Sequence, residues 1–179
     1  CTVFSSGISA VTAIVSSLKS GDKILCESNL YGCTIRMFEK IFRKFGIETS
    51  YFDFTNKEYI DQISKVKPAL IWLESPTNPL LKILNLKEIC SEANSRKIPV
   101  VVDNTFCTAA IQKPLELGAT LSLISTTKFI NGHSDALGGA VITNDESWNN
   151  KMIFSQKSLG LNPSPFDCWL ITRGLKTLP

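Results

Sequence analysis

The chain has a single histidine among its 179 residues, and that scarcity weighs against a metal centre built on imidazole. Its six cysteines, at positions 1, 26, 33, 90, 107 and 168, show neither metal-ligand pairing nor the density of a disulfide framework. No metal is therefore expected, and scattered free thiols fit a reducing cytoplasm. Apolar runs of membrane-spanning length are missing, as is a basic-then-apolar leader, so no membrane partner is expected. Net charge is also scarce, at +3. Lys40, Arg43 and Lys44 fall on one helical face without interleaved aromatics, which reads as a solvated face rather than a nucleic-acid surface. Neither a Gly-x-Gly-x-x-Gly nor a Walker pattern follows a strand, which disfavours a plain nucleotide-binding sheet.

What is present is a regular alternation of strands and helices in a chain of ordinary globular composition, 44% hydrophobic and 20% charged. The pattern predicts strands over 2–5, 23–26, 47–52, 69–73, 98–102, 121–124 and 140–143. Helices are predicted over 8–18, 34–45, 58–66, 86–96, 146–158 and 166–177. The helix over 34–45 is expected to show Ile35, Phe38, Ile41, Phe42 and Phe45 on one face, with Gly46 as its stop. The short interval around Gly138-Gly139 predicts a hairpin-like return rather than a helical crossover. Strands that are apolar throughout, separated by helices, predict an α/β fold: a three-layer αβα arrangement with a mostly parallel sheet covered on both faces. The chain starts at Cys1 in a strand-like segment and stops at Pro179 after a helical pattern. Residues 1–179 are thus expected to be a piece of a longer chain.

In such sheets ligands bind beyond the carboxyl ends of the strands, and Glu74, Asp103 and Lys128 all fall at or just past those ends. Lys128 follows the apolar run Leu121-Ser122-Leu123-Ile124 and is expected to be partly desolvated, which favours a neutral, nucleophilic amine. An aldehyde cofactor with a pyridine ring would need such a lysine, and a buried carboxylate, here Asp103, to keep its ring nitrogen protonated. A phosphate group would need helix N-terminal amides and hydroxyls. Gly7 and Ile8 open a helix after Ser5-Ser6, and Ser125 and Thr127 flank the lysine. Tyr31 is placed to stack on a ring. Each feature alone has a plainer reading, as an N-cap, a packing residue or a surface charge; the ordered set is what points to a site.

The segment Ser125-Thr126-Thr127-Lys128-Phe129-Ile130-Asn131-Gly132-His133-Ser134-Asp135, with Leu137-Gly138-Gly139 after it, resembles the lysine signature of the Cys/Met-metabolism, or trans-sulfuration, family of pyridoxal phosphate (PLP) enzymes. Phe4-Ser5-Ser6-Gly7, Leu30-Tyr31-Gly32, Glu74-Ser75-Pro76-Thr77-Asn78-Pro79 and Val101-Val102-Asp103-Asn104-Thr105-Phe106 match in the same order. So do Ser164-Pro165-Phe166-Asp167 and Arg173-Gly174-Leu175-Lys176-Thr177-Leu178. The resemblance spans essentially the whole chain. It implies that Lys128 bonds the cofactor's aldehyde and shuttles protons, that Asp103 pairs with the pyridinium, and that Gly7, Ile8, Ser125 and Thr127 bind phosphate. It further implies that Tyr31 stacks on the ring and assists proton transfer, that Asn78 bonds near the phenolic oxygen, and that Thr105 supports Asp103. His133 reads as structural, orienting the loop after the lysine.

The implied activity is γ-replacement or γ-elimination on homoserine-ester or cystathionine substrates, as in cystathionine γ-synthase and γ-lyase. Arg36 occupies a position that would meet a second substrate carboxylate; the plainer reading pairs it with Glu39 or Glu58. Cys33 resembles methionine γ-lyase, so that enzyme, or an O-acylhomoserine sulfhydrylase, is the alternative, beside a non-catalytic fragment that keeps only the fold. The resemblance implies a small amino-acid substrate and a homo-oligomer, a dimer of dimers in the full-length protein. It also implies that an N-terminal segment reaching a neighbouring subunit's phosphate, and a C-terminal domain supplying the arginine for the substrate's α-carboxylate, lie outside these residues.

Overall fold

The computed structural model describes residues 1–178, which pack as two compact units built from interleaved segments. One comprises residues 18–103 and 114–120. It contains four strands, β2 (Lys23–Glu27), β3 (Glu48–Phe52), β4 (Leu70–Glu74) and β5 (Val100–Asp103). All pair in parallel, β5 with β4, β4 with β2 and β2 with β3. Successive side chains of a strand face opposite ways, and both faces here are apolar. Leu25, Ile71, Leu73, Val100 and Val102 join Ile63 of helix α3 (Tyr59–Val66) and Ile89 and Ala93 of α4 (Leu86–Ser95) in one core. On the alternate positions, Trp72 meets Phe38 of α2 (Gly32–Lys40) edge to face at 5.2 Å. A parallel sheet with helices on both faces is the αβα layering expected of such strands.

The helix predicted over 34–45 does not run through. Helix α2 ends at Lys40, Ile41 leaves helical geometry at φ −112° and ψ −66°, and a 3-10 turn (Phe42–Phe45) follows. The tighter turn resets the phase, so Phe38 and Phe42 are buried while Ile41 and Phe45 face solvent. Gly46 then closes the segment in the left-handed region at φ 81°, as its stop role requires. Lys40, Arg43 and Lys44 are all exposed.

The second unit comprises residues 1–17, 104–113 and 121–179, of which residues to 178 are described. Its strands β1 (Thr2–Phe4), β6 (Leu121–Ile124) and β7 (Gly139–Ile142) are antiparallel, β7 pairing with both others. The hairpin-like return after Gly138 is therefore as expected. Helices α1 (Gly7–Val15), α6 (Glu146–Ser158) and α7 (Pro165–Leu175) supply Ile14, Met152 and Leu170 to its interior. A short helix α5 (Thr108–Ile111), which the sequence pattern did not mark, follows Cys107. Asn104 explains it: its side chain donates to the Gln112 backbone carbonyl and accepts from the Gln112 side-chain Nε2 at 2.8 Å each, closing a single turn. All six cysteines are free, and among the described residues no helix is long and apolar enough to cross a membrane.

Candidate active site

In the parallel unit the carboxyl ends of three neighbouring strands each carry an acid: Glu27, Glu74 and Asp103, all buried. A buried carboxylate is costly unless hydrogen-bonded. Glu27 accepts from the Asn29 amide (3.0 Å) and the Ser28 hydroxyl (2.8 Å) through one oxygen and from the Phe54 amide (2.9 Å) through the other. Glu74 accepts from the Tyr31 amide at 2.7 Å. Asp103 is the register partner of Glu74. Burial, and then the neighbouring Asp103 charge, push the Glu74 carboxyl up to about 8, against the Tyr31 amide bond that pulls it down. The strand ends thus hold two acids side by side with a tyrosine loop tethered to one of them.

Tyr31 is the residue before the first turn of α2 and is 42% exposed. The phenol lies beside Cys33, which, mainly by hydrogen bonding, raises its pKa, while Arg36 pulls the other way. Arg36 is exposed and its Nη1 lies 3.9 Å from Cys33 Sγ. Neither surface ion pair entertained for it forms: Glu39 is taken by Arg43 at 3.4 Å and by the Thr49 hydroxyl at 2.8 Å, and Glu58 has no such partner among the described residues. Asn78 is half-buried in the loop after β4. That loop is closed by Thr77, which accepts the Lys82 amide through its hydroxyl and the Leu81 amide through its carbonyl.

The antiparallel unit carries the other residues. Helix α1 opens at Gly7, and Ser6 caps it by accepting the Ser9 amide at 3.0 Å. The Gly7 and Ile8 amides precede the first intrahelical bonds and remain available as donors. Ser125 packs against this helix start so closely that a Cβ on Gly7 would lie 2.9 Å from the Ser125 Cβ. Thr105 accepts the Ser125 amide at 2.9 Å, fixing Ser125 from below. An aligned helix N-terminus, free amides and an adjacent hydroxyl make a cradle suited to an anion such as phosphate. Thr127 is otherwise engaged: its hydroxyl accepts the Gly138 amide at 3.0 Å and lies 3.2 Å from the Gly138 carbonyl.

Lys128 differs from expectation in one respect. It is exposed rather than partly desolvated, because β6 ends at Ile124 and Lys128 sits four residues on, in a turn outside the strand. That turn is tightly made. The Lys128 amide bonds the Ser125 carbonyl (3.2 Å), and the Lys128 carbonyl accepts the Gly132 amide (2.8 Å). Helix α7 holds the turn from outside. Gly174 lies so close that a Cβ there would stand 2.1 Å from the Asn131 carbonyl oxygen, and Arg173 pairs with Asp135. Asp135 also accepts from the Asn131 side chain (2.9 Å), and His133 Nδ1 lies 2.6 Å from the Asn131 carbonyl. His133 is accordingly part of the loop's scaffolding.

The sequence profile of Cys/Met metabolism PLP-dependent enzymes matches residues 1–179. The chain belongs to that family. Among its relatives, a probable cystathionine gamma-synthase of Herpetosiphon aurantiacus is 43% identical over 98% of this chain and 55% of its own length. The cystathionine gamma-lyase of Rattus norvegicus is 41% identical over 99% and 45% respectively. The crystal structure of cystathionine gamma synthase from Xanthomonas oryzae pv. oryzae, in complex with aminoacrylate and cysteine, is 38% identical and superposes with a TM-score of 0.95. It is covered over 46% of its chain while covering 99% of this one. The chain thus spans about half the length of the relatives it matches. Members of this family act on small amino acids with a PLP cofactor, and the α/β fold with its mostly parallel strands is the family's.

The residues present fit that cofactor. The α1–Ser125 cradle suits its phosphate, and Asp103 is a buried carboxylate of the kind a pyridinium requires. Glu74 is the residue whose part the sequence did not specify. Its position on the ligand-binding rim was legible, whereas its bond to an amide 43 residues away was not.

Proposed function

We propose that the parent protein is a PLP-dependent trans-sulfuration enzyme of the cystathionine γ-synthase or γ-lyase type, a carbon–sulfur lyase or transferase. The observation that carries this reading is the buried Asp103 at the carboxyl end of a parallel strand, in a chain that matches the family from end to end. When bound, the cofactor supplies an electron sink for charge developing on the substrate's α-carbon. The chain's own residues do the rest. Asp103 holds the ring nitrogen's proton in place. The Gly7 and Ile8 amides and the Ser125 hydroxyl bind phosphate, with Thr127 contributing by keeping the Gly138 backbone against the lysine turn. Thr105 supports this end through the Ser125 amide. Tyr31 stacks on the ring, and Asn78 bonds its phenolic oxygen.

Lys128 would hold the cofactor's aldehyde, and its Nζ, when free, would carry the substrate's α-proton. An exposed turn suits a long side chain that must change partners. Arg36, without an anionic partner among the described residues, meets the distal carboxylate of a cystathionine-like substrate. Cys33 keeps methionine γ-lyase chemistry as the second reading, and Arg36 weighs against it. Phe154, Phe166 and Trp169, all exposed, support a homo-oligomer, a dimer of dimers, and the six free thiols support a cytoplasmic location.

The test is kinetic. Purified full-length protein is assayed with cystathionine, with methionine, and with O-succinylhomoserine plus cysteine. Turnover of cystathionine, or its synthesis, supports the proposal; activity on methionine alone moves the assignment to the second reading. No turnover with any of them, despite bound cofactor, favours a non-catalytic member.

A further inference from the structure

Glu74 belongs to β4, yet its carboxylate serves another element. Helix α2 is preceded by Tyr31, whose side chain makes no capping bond, and no acidic residue lies in its first turn. Such a helix start lacks both an acceptor for its leading amides and a counter-charge for its dipole. Glu74 supplies an acceptor there across 43 residues of sequence, at 2.7 Å from the Tyr31 amide. The same side chain is buried beside Asp103, its register partner on β5. The neighbouring strand shows the contrast. Glu27 directs both oxygens to the loops that follow β2 and β3.

We propose that Glu74 is a positioning residue of the cofactor site, tethering the backbone from which Tyr31 projects to the strand end that carries Asp103. The proposal rests on the reading of Tyr31 and Asp103 as cofactor-binding residues. An amide N–H only donates, so the tether needs an oxygen acceptor at position 74. A glutamine can provide one and an alanine cannot. Removing the acceptor leaves a donor without its partner and frees the Tyr31 backbone, so the loss reaches the cofactor through Tyr31. Where Tyr31's ring is already gone, removing the tether costs the cofactor little further.

The experiment is a double-mutant cycle in the full-length protein, with Glu74→Ala, Tyr31→Ala and the pair, and with Glu74→Gln as the conservative change. Two readouts are taken: the dissociation constant for PLP and the circular dichroism of the bound cofactor's visible band. Expected are about tenfold weaker binding and a diminished band for E74A, and binding within about threefold of wild type for E74Q. E74A should change affinity less than about twofold once Tyr31 is alanine. Additive losses, or E74Q as damaging as E74A, overturn the proposal. Should E74A fail to fold, hydrogen exchange of the wild-type Tyr31 amide decides: strong protection supports the tether and rapid exchange overturns it. Wild-type protein that takes up no PLP would instead defeat the functional reading, with the tether still read by exchange.

Discussion

The two units treat their charged residues in opposite ways. In the parallel unit Glu27, Glu74 and Asp103 are buried at strand ends, and backbone amides of Phe54 and Tyr31, far along the chain, close on Glu27 and Glu74. In the antiparallel unit Lys128 is exposed on a turn, and its ammonium has no ion-pair partner among the described residues. The difference follows from cost. A buried carboxylate must have its partners built in, so it belongs on rigid strands. A solvated lysine needs no partner built in, so on this side it is the backbone that is fixed. What is pre-organised on that side is the turn, gripped by its own hydrogen bonds and by Gly174 and Arg173 of α7.

The largest expected effect falls on the lysine side. Lys128→Ala in the full-length enzyme should lower kcat by at least about 10²–10⁴-fold, measured at saturating substrate, and retain the fold as judged by far-UV circular dichroism. Full turnover in that variant would end the functional reading. The rigid side is tested next by Asp103→Ala, which should weaken PLP binding by about 10²-fold in a fluorescence titration, because a ring proton loses its buried counter-charge. Should Asp103→Ala leave affinity unchanged, the carboxylate side would not be the pre-organised half of the site.

Two smaller effects separate backbone grip from charge. Gly174→Ala forces a methyl to 2.1 Å from the Asn131 carbonyl oxygen. It should destabilise by roughly 1–3 kcal/mol in denaturant unfolding and disturb the lysine turn without touching Lys128. Glu74 gives the last prediction, with its sign set by protonation. Its carboxyl lies at about 8 in the folded state, above the ordinary carboxylate value of 4.5. Between those values the native state therefore holds a proton that the unfolded state has released. Stability contributed by Glu74 must then fall as pH rises from about 4.5 to about 8, by at most about 1.4 kcal/mol per pH unit. In cofactor-free protein, Glu74→Gln should flatten that part of the stability profile, and an unchanged slope would contradict the burial argument.

Most of this contrast was legible in the residues, and what was not has physical reasons. Asp103 could be placed because a Val-rich run ending in an acid marks the end of a buried parallel strand. Ser125 and Gly7 could be named as candidates for phosphate binding, but their contact could not, since a glycine's absent side chain signals closeness only once its neighbour is known. The break at Ile41 escaped because an apolar spacing of three and four residues suits a helix until a 3-10 turn shifts the phase. Lys128 was expected to be desolvated, yet distance from a strand end is set by the turn that follows it, and hydroxyl-rich sequence does not fix that turn's length. The ties from Glu74 to Tyr31 and from Arg173 to Asp135 join residues 43 and 38 positions apart, and local pattern carries no information on such pairs.

The central claim is that Lys128, reaching from a fixed turn, is the lysine that bonds the cofactor. Borohydride reduction of the full-length protein loaded with PLP, followed by peptide mapping, tests it directly. The account predicts a pyridoxyl group on Lys128 and on no other lysine; a group found elsewhere, or none on protein that has bound PLP, would contradict it.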